Sequence, residues 1–193
     1  ALSVWINELM RGHMRVILVT HRLDEIVPNI THVLFLKNGR IFDFGRRESK
    51  LTQERIRQAY KTDGVETLPV AKQAEKLFNL EQRSRRLANS PRSEKIPVLI
   101  EMHNVNVSVS GRPALTKFNW VMKSGENWAI CGPSGAGKTT VLKLVTGENL
   151  QAYANEIYLF GKRKGNGESI WDIKQRIGYI SSELQNRHPN NQT

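Results

Sequence analysis

Nine consecutive residues, Gly132, Pro133, Ser134, Gly135, Ala136, Gly137, Lys138, Thr139 and Thr140, bring glycines, an ammonium and hydroxyls into one short loop. Their order fits G-x-x-x-x-G-K-[ST] without a mismatch. Each residue type has a chemical reason. Glycines let successive backbone N–H groups turn onto anionic oxygens, where a Cβ would block the approach. A helix starting near Lys138 would direct its unpaired N–H groups and positive dipole end at the same oxygens. Lys138 suits the β- and γ-phosphates as a point charge, and the Thr139 hydroxyl suits coordination of Mg2+. The stretch therefore reads as a phosphate-binding loop for a nucleotide with its metal.

Such a loop needs a strand before it and a helix after it. "NWAIC" supplies the strand and Lys138 to Thr146 the helix. Upstream, "VLIEMHNVNVSV" and "PALTKFNWVM" flank the turn "SGR" as two strands. Downstream, "EIYLF" reads as a strand, "GKRKGNG" as a basic glycine turn, "SIWDIKQR" as a helix and "IGYIS" as a strand. At the other end of the chain, Leu2, Trp5, Ile6 and Leu9 share a helical face that Gly12 closes. "RVILVTH" is an apolar, β-branched run suited to a buried parallel strand. A short helix at "LDEIV" follows. "HVLFL" and "RIFDF" then flank Asn38-Gly39, a hairpin signal. In between, periodicity weakens. "LTQERIRQAY" can form a helix capped by Thr52, and "ANSPRSEKIP" has the composition of a linker.

The chain has 193 residues, a formal charge of +11 and one cysteine. Cys131 excludes an intrachain disulfide framework and, next to the loop, reads as a small core residue. No apolar run reaches the roughly 18 residues of a membrane helix. The bases are interleaved with acids in "RRESKLTQERIRQ" and "EQRSRRLANSPRSEK", and across residues 46–95 Tyr60 and Phe78 are the only aromatics. That pattern favours a solvated helical linker over a nucleic-acid surface. His13, His32, His103 and His188 lack metal-ligand spacing and read as surface or loop residues. Ala1 opens inside a helical pattern and "NRHPNNQT" closes on a polar run, so the expectation is a piece of a longer chain.

With "GPSGAGKTTVLKLVTG" in view, the second half resembles an ATP-binding cassette domain. "GENLQAYANEIYLFGKRKGNGESIWDIKQRIGYISSEL" is more specific and resembles tandem-cassette ATPases of molybdenum transport. "VILVTHRLDEIVPNITHVLFLKNGRI" resembles the end of such a cassette, with its switch histidine at His21. The resemblance implies an α/β fold of the phosphate-loop NTPase (ABC ATPase) class, incomplete, with an antiparallel β subdomain before the loop. It divides the chain into residues 1–45, the C-terminal part of a first cassette; 46–97, a helical basic linker; and 98–193, the N-terminal part of a second. In such proteins the switch-histidine strand lies beside the phosphate-loop strand. "VILVT" is therefore expected to dock on "NWAIC" within this chain, since otherwise two apolar strands stay uncovered.

The same resemblance implies ATP and Mg2+ as ligands. It makes His21 the residue that contacts the γ-phosphate, a role an imidazole can fill by donating a hydrogen bond at neutral pH. It places Val109 against adenine, where cassettes usually carry an aromatic; valine packs on a ring face without π-stacking. The loop glutamine would fall at Ser182, which leaves Gln185 to reach the metal's water. No "LSGGQ"-like segment and no apolar strand ending in Asp-Glu occurs in the sequence. Phosphoryl transfer is mostly positioning and charge stabilisation, so this chain alone is expected to hold nucleotide without turning it over. Implied partners are the rest of a tandem-cassette parent and a separate membrane permease. The implied location is the cytoplasm, peripheral to the inner membrane where a permease recruits it. The alternative is a soluble tandem-cassette ATPase acting on ribosomes or other nucleic acid.

Overall fold

The computed structural model describes residues 2–12, 14–61, 96–167 and 170–178. Of the strand expected at "IGYIS" only Ile177 and Gly178 are described, and neither is in a strand; Gln185, His13, His188 and the linker from residue 62 to 95 lie outside these residues. Two four-stranded sheets organise the rest. The first is built on the apolar strands β1 (Ile17–Thr20), β2 (His32–Lys37) and β6 (Trp128–Cys131), with β3 (Arg40–Arg46) at its edge. Its order is β1-β6-β2-β3. β6 runs parallel to both neighbours, pairing Ile17 with Trp128 through Thr20 with Cys131 on one side and His32 with Trp128 through Phe35 with Cys131 on the other. The docking expected of "VILVT" on "NWAIC" is present. β2 turns back antiparallel into β3 through Asn38-Gly39.

Alternation along these strands explains why they read as unbroken apolar runs, because both faces are covered. Leu34, Leu36, Trp128 and Ile130 face one core; Val33, Phe35, Ala129 and Cys131 face the other. The second core is closed by α1 (Leu2–Arg11), by Leu23, Ile26, Val27 and Ile30, and by α3 (Gln53–Tyr60), which follows the short α2 (Arg47–Lys50). α3 starts as its sequence predicts, with Thr52 Oγ1 accepting from Arg55 N–H at 3.3 Å. Ile56, Ala59 and Tyr60, spaced i, i+3 and i+4, are buried along one side.

Two expectations change here. Trp5 does not join the buried face of α1: it is 70% exposed, while Ile6 and Met10 are buried. Those two sit one turn apart at i and i+4, so the seam lies one position further round than the apolar count indicated. Leu2 has no described side chain. Second, residues 47–50 and 53–60 of the segment 46–97 are helical, and residues 47–60 are no spacer. Leu51, Ile56, Ala59 and Tyr60 belong to the second core.

The other sheet, in the order β5-β4-β7-β8, is antiparallel throughout. Its long hairpin, β4 (Val98–Val109) and β5 (Arg112–Lys123), closes through Ser110 and Gly111, both at positive φ. β7 (Glu156–Leu159) and the short β8 (Lys162–Arg163) extend it. Irregular register around Asn104 and Lys117 breaks the ladder. Asparagine side chains stand in for the missing partners: Asn119 Oδ1 accepts from Asn104 N–H at 2.8 Å and Asn106 Oδ1 from Lys117 N–H at 3.0 Å. The inner face of this sheet, α4 (Lys138–Thr146) and α5 (Ile170–Lys174) pack on the first sheet in a core that includes Phe118, Trp120 and Trp128. Trp120 meets Trp128 edge-on, 5.6 Å between centroids.

His32 and His103 turn out to be strand residues. His103 bonds Glu101 at 2.8 Å on β4. His32 stacks on Trp128 at 4.8 Å and has Glu126 3.8 Å from Nε2. Burial holds the His32 imidazole below its ordinary value; Glu126 opposes this more weakly, and Arg46 adds to it. As pH falls through the ordinary histidine range, the unfolded chain takes up this proton before the folded one does. Stability contributed by the neutral ring is then lost. The melting temperature of the chain should fall between about pH 7 and pH 5, with a shallower fall in His32→Gln. Phe35→Ala, at a fully buried position, should cost about 3–5 kcal/mol in chemical denaturation.

Candidate functional site

β6 carries the chain out of the middle of the first sheet into Gly132. This residue has φ +149°, and a Cβ on it would lie 2.2 Å from the Leu36 carbonyl oxygen of β2. Only glycine fits there. Pro133 to Ala136 form a turn, Ala136 N–H donating to Pro133 O at 3.2 Å. Ser134 and Gly135 are exposed at its crest. At Gly137, φ is +103° and a Cβ would stand 2.6 Å from Ala114 O of β5. α4 then begins at Lys138 with no side-chain cap on its N-terminus. The first amides of a helix lack intrahelical acceptors, and they follow directly from the loop.

Lys138 folds back over the loop. Its Nζ donates to Gly132 O at 2.8 Å and to Pro133 O at 2.7 Å. Half-burial lowers the pKa of this ammonium, with neighbouring Cys131 acting the other way. Cys131 is fully buried and its thiol is pushed up to about 12, mainly by desolvation. It is a core residue, as its place in the strand indicated. Thr139 is exposed and Thr140 half-buried. An uncapped helix N-terminus, a crest of small residues and an ammonium resting on neutral carbonyls together fit a phosphate chain. Among the described residues no cluster of three or more His, Cys, Asp or Glu could hold a metal by itself.

The N-terminal half supplies the loop's surroundings. Thr20 is the last residue of β1 and stands opposite Cys131 in register, so His21 and Gly132 leave the sheet side by side. Thr20 Oγ1 accepts from Arg22 N–H at 2.9 Å and bonds Glu25, which fixes the bend holding exposed His21. The Gly39 N–H of the β2–β3 turn donates to Ala136 O at 3.2 Å, and Gly39 O accepts from Thr116 N–H at 2.8 Å. Val109, 52% exposed, ends β4. Two residues earlier Val107 pairs with Leu115, the neighbour of Ala114 at Gly137. Gln185 lies outside the described residues.

Residues 115–193 match the protein family described as ABC transporter. Along 91% of its length the chain is 37% identical to the ABC transporter ATP-binding protein ModF of Escherichia coli, covering 34% of that protein. It is 34% identical to an uncharacterized ABC transporter ATP-binding protein of Schizosaccharomyces pombe, over 93% of this chain and 33% of that one. Most of the chain is thus similar to ABC transporter ATP-binding proteins, and residues 115–193 are part of an ABC transporter ATP-binding domain. A shorter match, 35% identical over 44% of this chain, is to the Fe(3+) ions import ATP-binding protein FbpC 2 of Pectobacterium atrosepticum. The chain spans about a third of the length of the first two relatives. Among the described residues of this ABC chain, no helix is long and apolar enough to cross a membrane.

Two residues at the loop carry no motif: Gly39 and Tyr60. The Asn-Gly turn signalled a hairpin but not its contact with Ala136. Tyr60 stood out as a rare aromatic in a polar stretch, and only the tertiary structure shows what it meets. For the ABC loop itself, Gly137→Ala should destabilise the chain by about 2 kcal/mol or more, since strained backbone and a close carbonyl act together. Gly178→Ala, with open space around its Cβ position, should stay within about 0.5 kcal/mol in the same denaturant titration.

Proposed function

We propose that this chain binds Mg-ATP through residues 132–140, and that the longer protein it belongs to hydrolyses ATP to energise an importer. The observation that carries this reading is the loop at the end of β6, where Lys138 rests on the loop's own carbonyls above an uncapped helix. Lys138 would exchange Gly132 O and Pro133 O for phosphate oxygens, a charge-assisted gain over neutral acceptors. Amides from Gly135 to Thr140 would point at the same oxygens. Thr139 would hold Mg2+, which when bound supplies charge neutralisation between the phosphates. Val109 would pack on the adenine ring, His21 would donate to the γ-phosphate, and Gln185 would reach the metal's water.

His21 and Lys138 belong to different cassettes in this reading and would serve two composite sites in the longer protein. The "LSGGQ" segment and the Asp-Glu strand of a complete site are not among these 193 residues. Binding without turnover is the behaviour proposed for this chain. A separate permease would carry the substrate across the membrane, with molybdate the substrate suggested by the resemblance to molybdenum-transport cassettes.

Calorimetric titration with Mg-ATP, with phosphate release followed in parallel, tests both parts. Saturable binding is expected for the unsubstituted chain, a loss of at least about tenfold in affinity for Lys138→Ala, and negligible turnover in both. Absence of binding would overturn the nucleotide reading. Steady turnover abolished by Lys138→Ala would overturn the incomplete-site reading.

A further inference from the structure

At the loop's entrance two backbone groups converge on one hydroxyl. Tyr60, the last residue of α3, is 9% exposed. Its Oη donates to His21 O at 3.3 Å and accepts from Gly132 N–H at 3.1 Å. These partners are 39 and 72 residues away in sequence. They are also the first residues beyond the last β1–β6 pair, Thr20 with Cys131. The parallel ladder stops there, and a phenol takes over as partner to the next main-chain group on each strand. Burial raises the Tyr60 pKa, so the hydroxyl keeps the proton it donates to His21 O.

Gly132 is held from both sides. Its N–H goes to Tyr60 and its carbonyl accepts from Lys138 at 2.8 Å. A glycine at positive φ has little intrinsic preference to keep its peptides oriented. Whatever grips its N–H therefore also sets where the Lys138 anchor points.

We propose that Tyr60 is a positioning residue, tying the start of the phosphate loop to the backbone of His21 so that nucleotide affinity at the loop depends on a hydroxyl from α3. The proposal rests on the reading of residues 132–140 as the Mg-ATP site. It adds a dependence on a segment that has no recognisable motif. Chain connectivity makes the coupling two-way: ligand contact at the loop should firm the Tyr60 bond, and through it the bend at His21.

Mg-ATP is titrated calorimetrically into the full 193-residue chain, Tyr60→Phe and Ile56→Val, and amide hydrogen exchange is followed at Gly132. Ile56→Val loosens the same helix at a buried position but removes no hydrogen bond. Tyr60→Phe should raise the Kd about five- to tenfold, with Ile56→Val close to the unsubstituted chain. The Gly132 amide should be protected in the unsubstituted chain and should exchange at least about tenfold faster in Tyr60→Phe. An unchanged Kd in Tyr60→Phe, or an equal rise in Ile56→Val, would overturn the proposal. So would a Gly132 amide that exchanges like an open loop in the unsubstituted chain, a readout that stands even if Tyr60→Phe fails to fold. If the unsubstituted chain binds no Mg-ATP, the nucleotide reading fails by itself, and Gly132 exchange alone then supports or overturns the tie.

Discussion

The structure turns on the parallel pairing of β6 with β1 and β2 together. A four-residue strand such as Trp128–Cys131 cannot stand alone: its amides need partners on both edges and its side chains need cover on both faces. Both flanking strands come from the first 37 residues, so the phosphate loop springs from a sheet that its own half of the sequence does not complete. Everything at the loop follows from that insertion. Gly132 must be glycine because Leu36 O lies against it, and His21 emerges beside the loop because Thr20 is paired with Cys131.

The two cores divide the labour. One lies between the sheets and holds the aromatic cluster of Phe118, Trp120 and Trp128; the other lies under the helices of the N-terminal half. Because β2 and β6 feed alternate residues to each, neither core can loosen without changing the strand that carries the loop. The turn at Gly39, bonded to Ala136 and Thr116, makes a second brace where the first half of the chain meets the crest of the loop. The conformation of residues 132–140 is thus a product of long-range packing as much as of its glycines.

Most elements were legible in the residues. The apolar runs became strands, Asn38-Gly39 and Ser110-Gly111 became hairpin turns, and Thr52 became a helix cap, because each depends on neighbours within a few positions. The misreadings have a common cause. Trp5 counted as a core residue by hydrophobicity, but the seam of α1 is chosen by where the helix docks on the sheet. Residues 47–60 looked like a linker because their charges dominate the composition, while a few apolar residues at helical spacing suffice to bury one side. His32 looked incidental until its ring lay against Trp128.

The sequence alone determined the glycine, lysine and threonine pattern of residues 132–140 and the family resemblance that pattern carries, because a helix N-terminus, a lysine and obligatory glycines act through spacings that local geometry enforces. It also determined that β1 and β6 would need each other, since two uncovered apolar strands are untenable in water. Only the tertiary structure decided which distant groups hold the loop in place. The Tyr60 hydroxyl meets Gly132 across 72 positions and Gly39 meets Ala136 across the sheet. Contacts of that kind leave no periodicity, because their energy depends on where two backbones happen to end side by side.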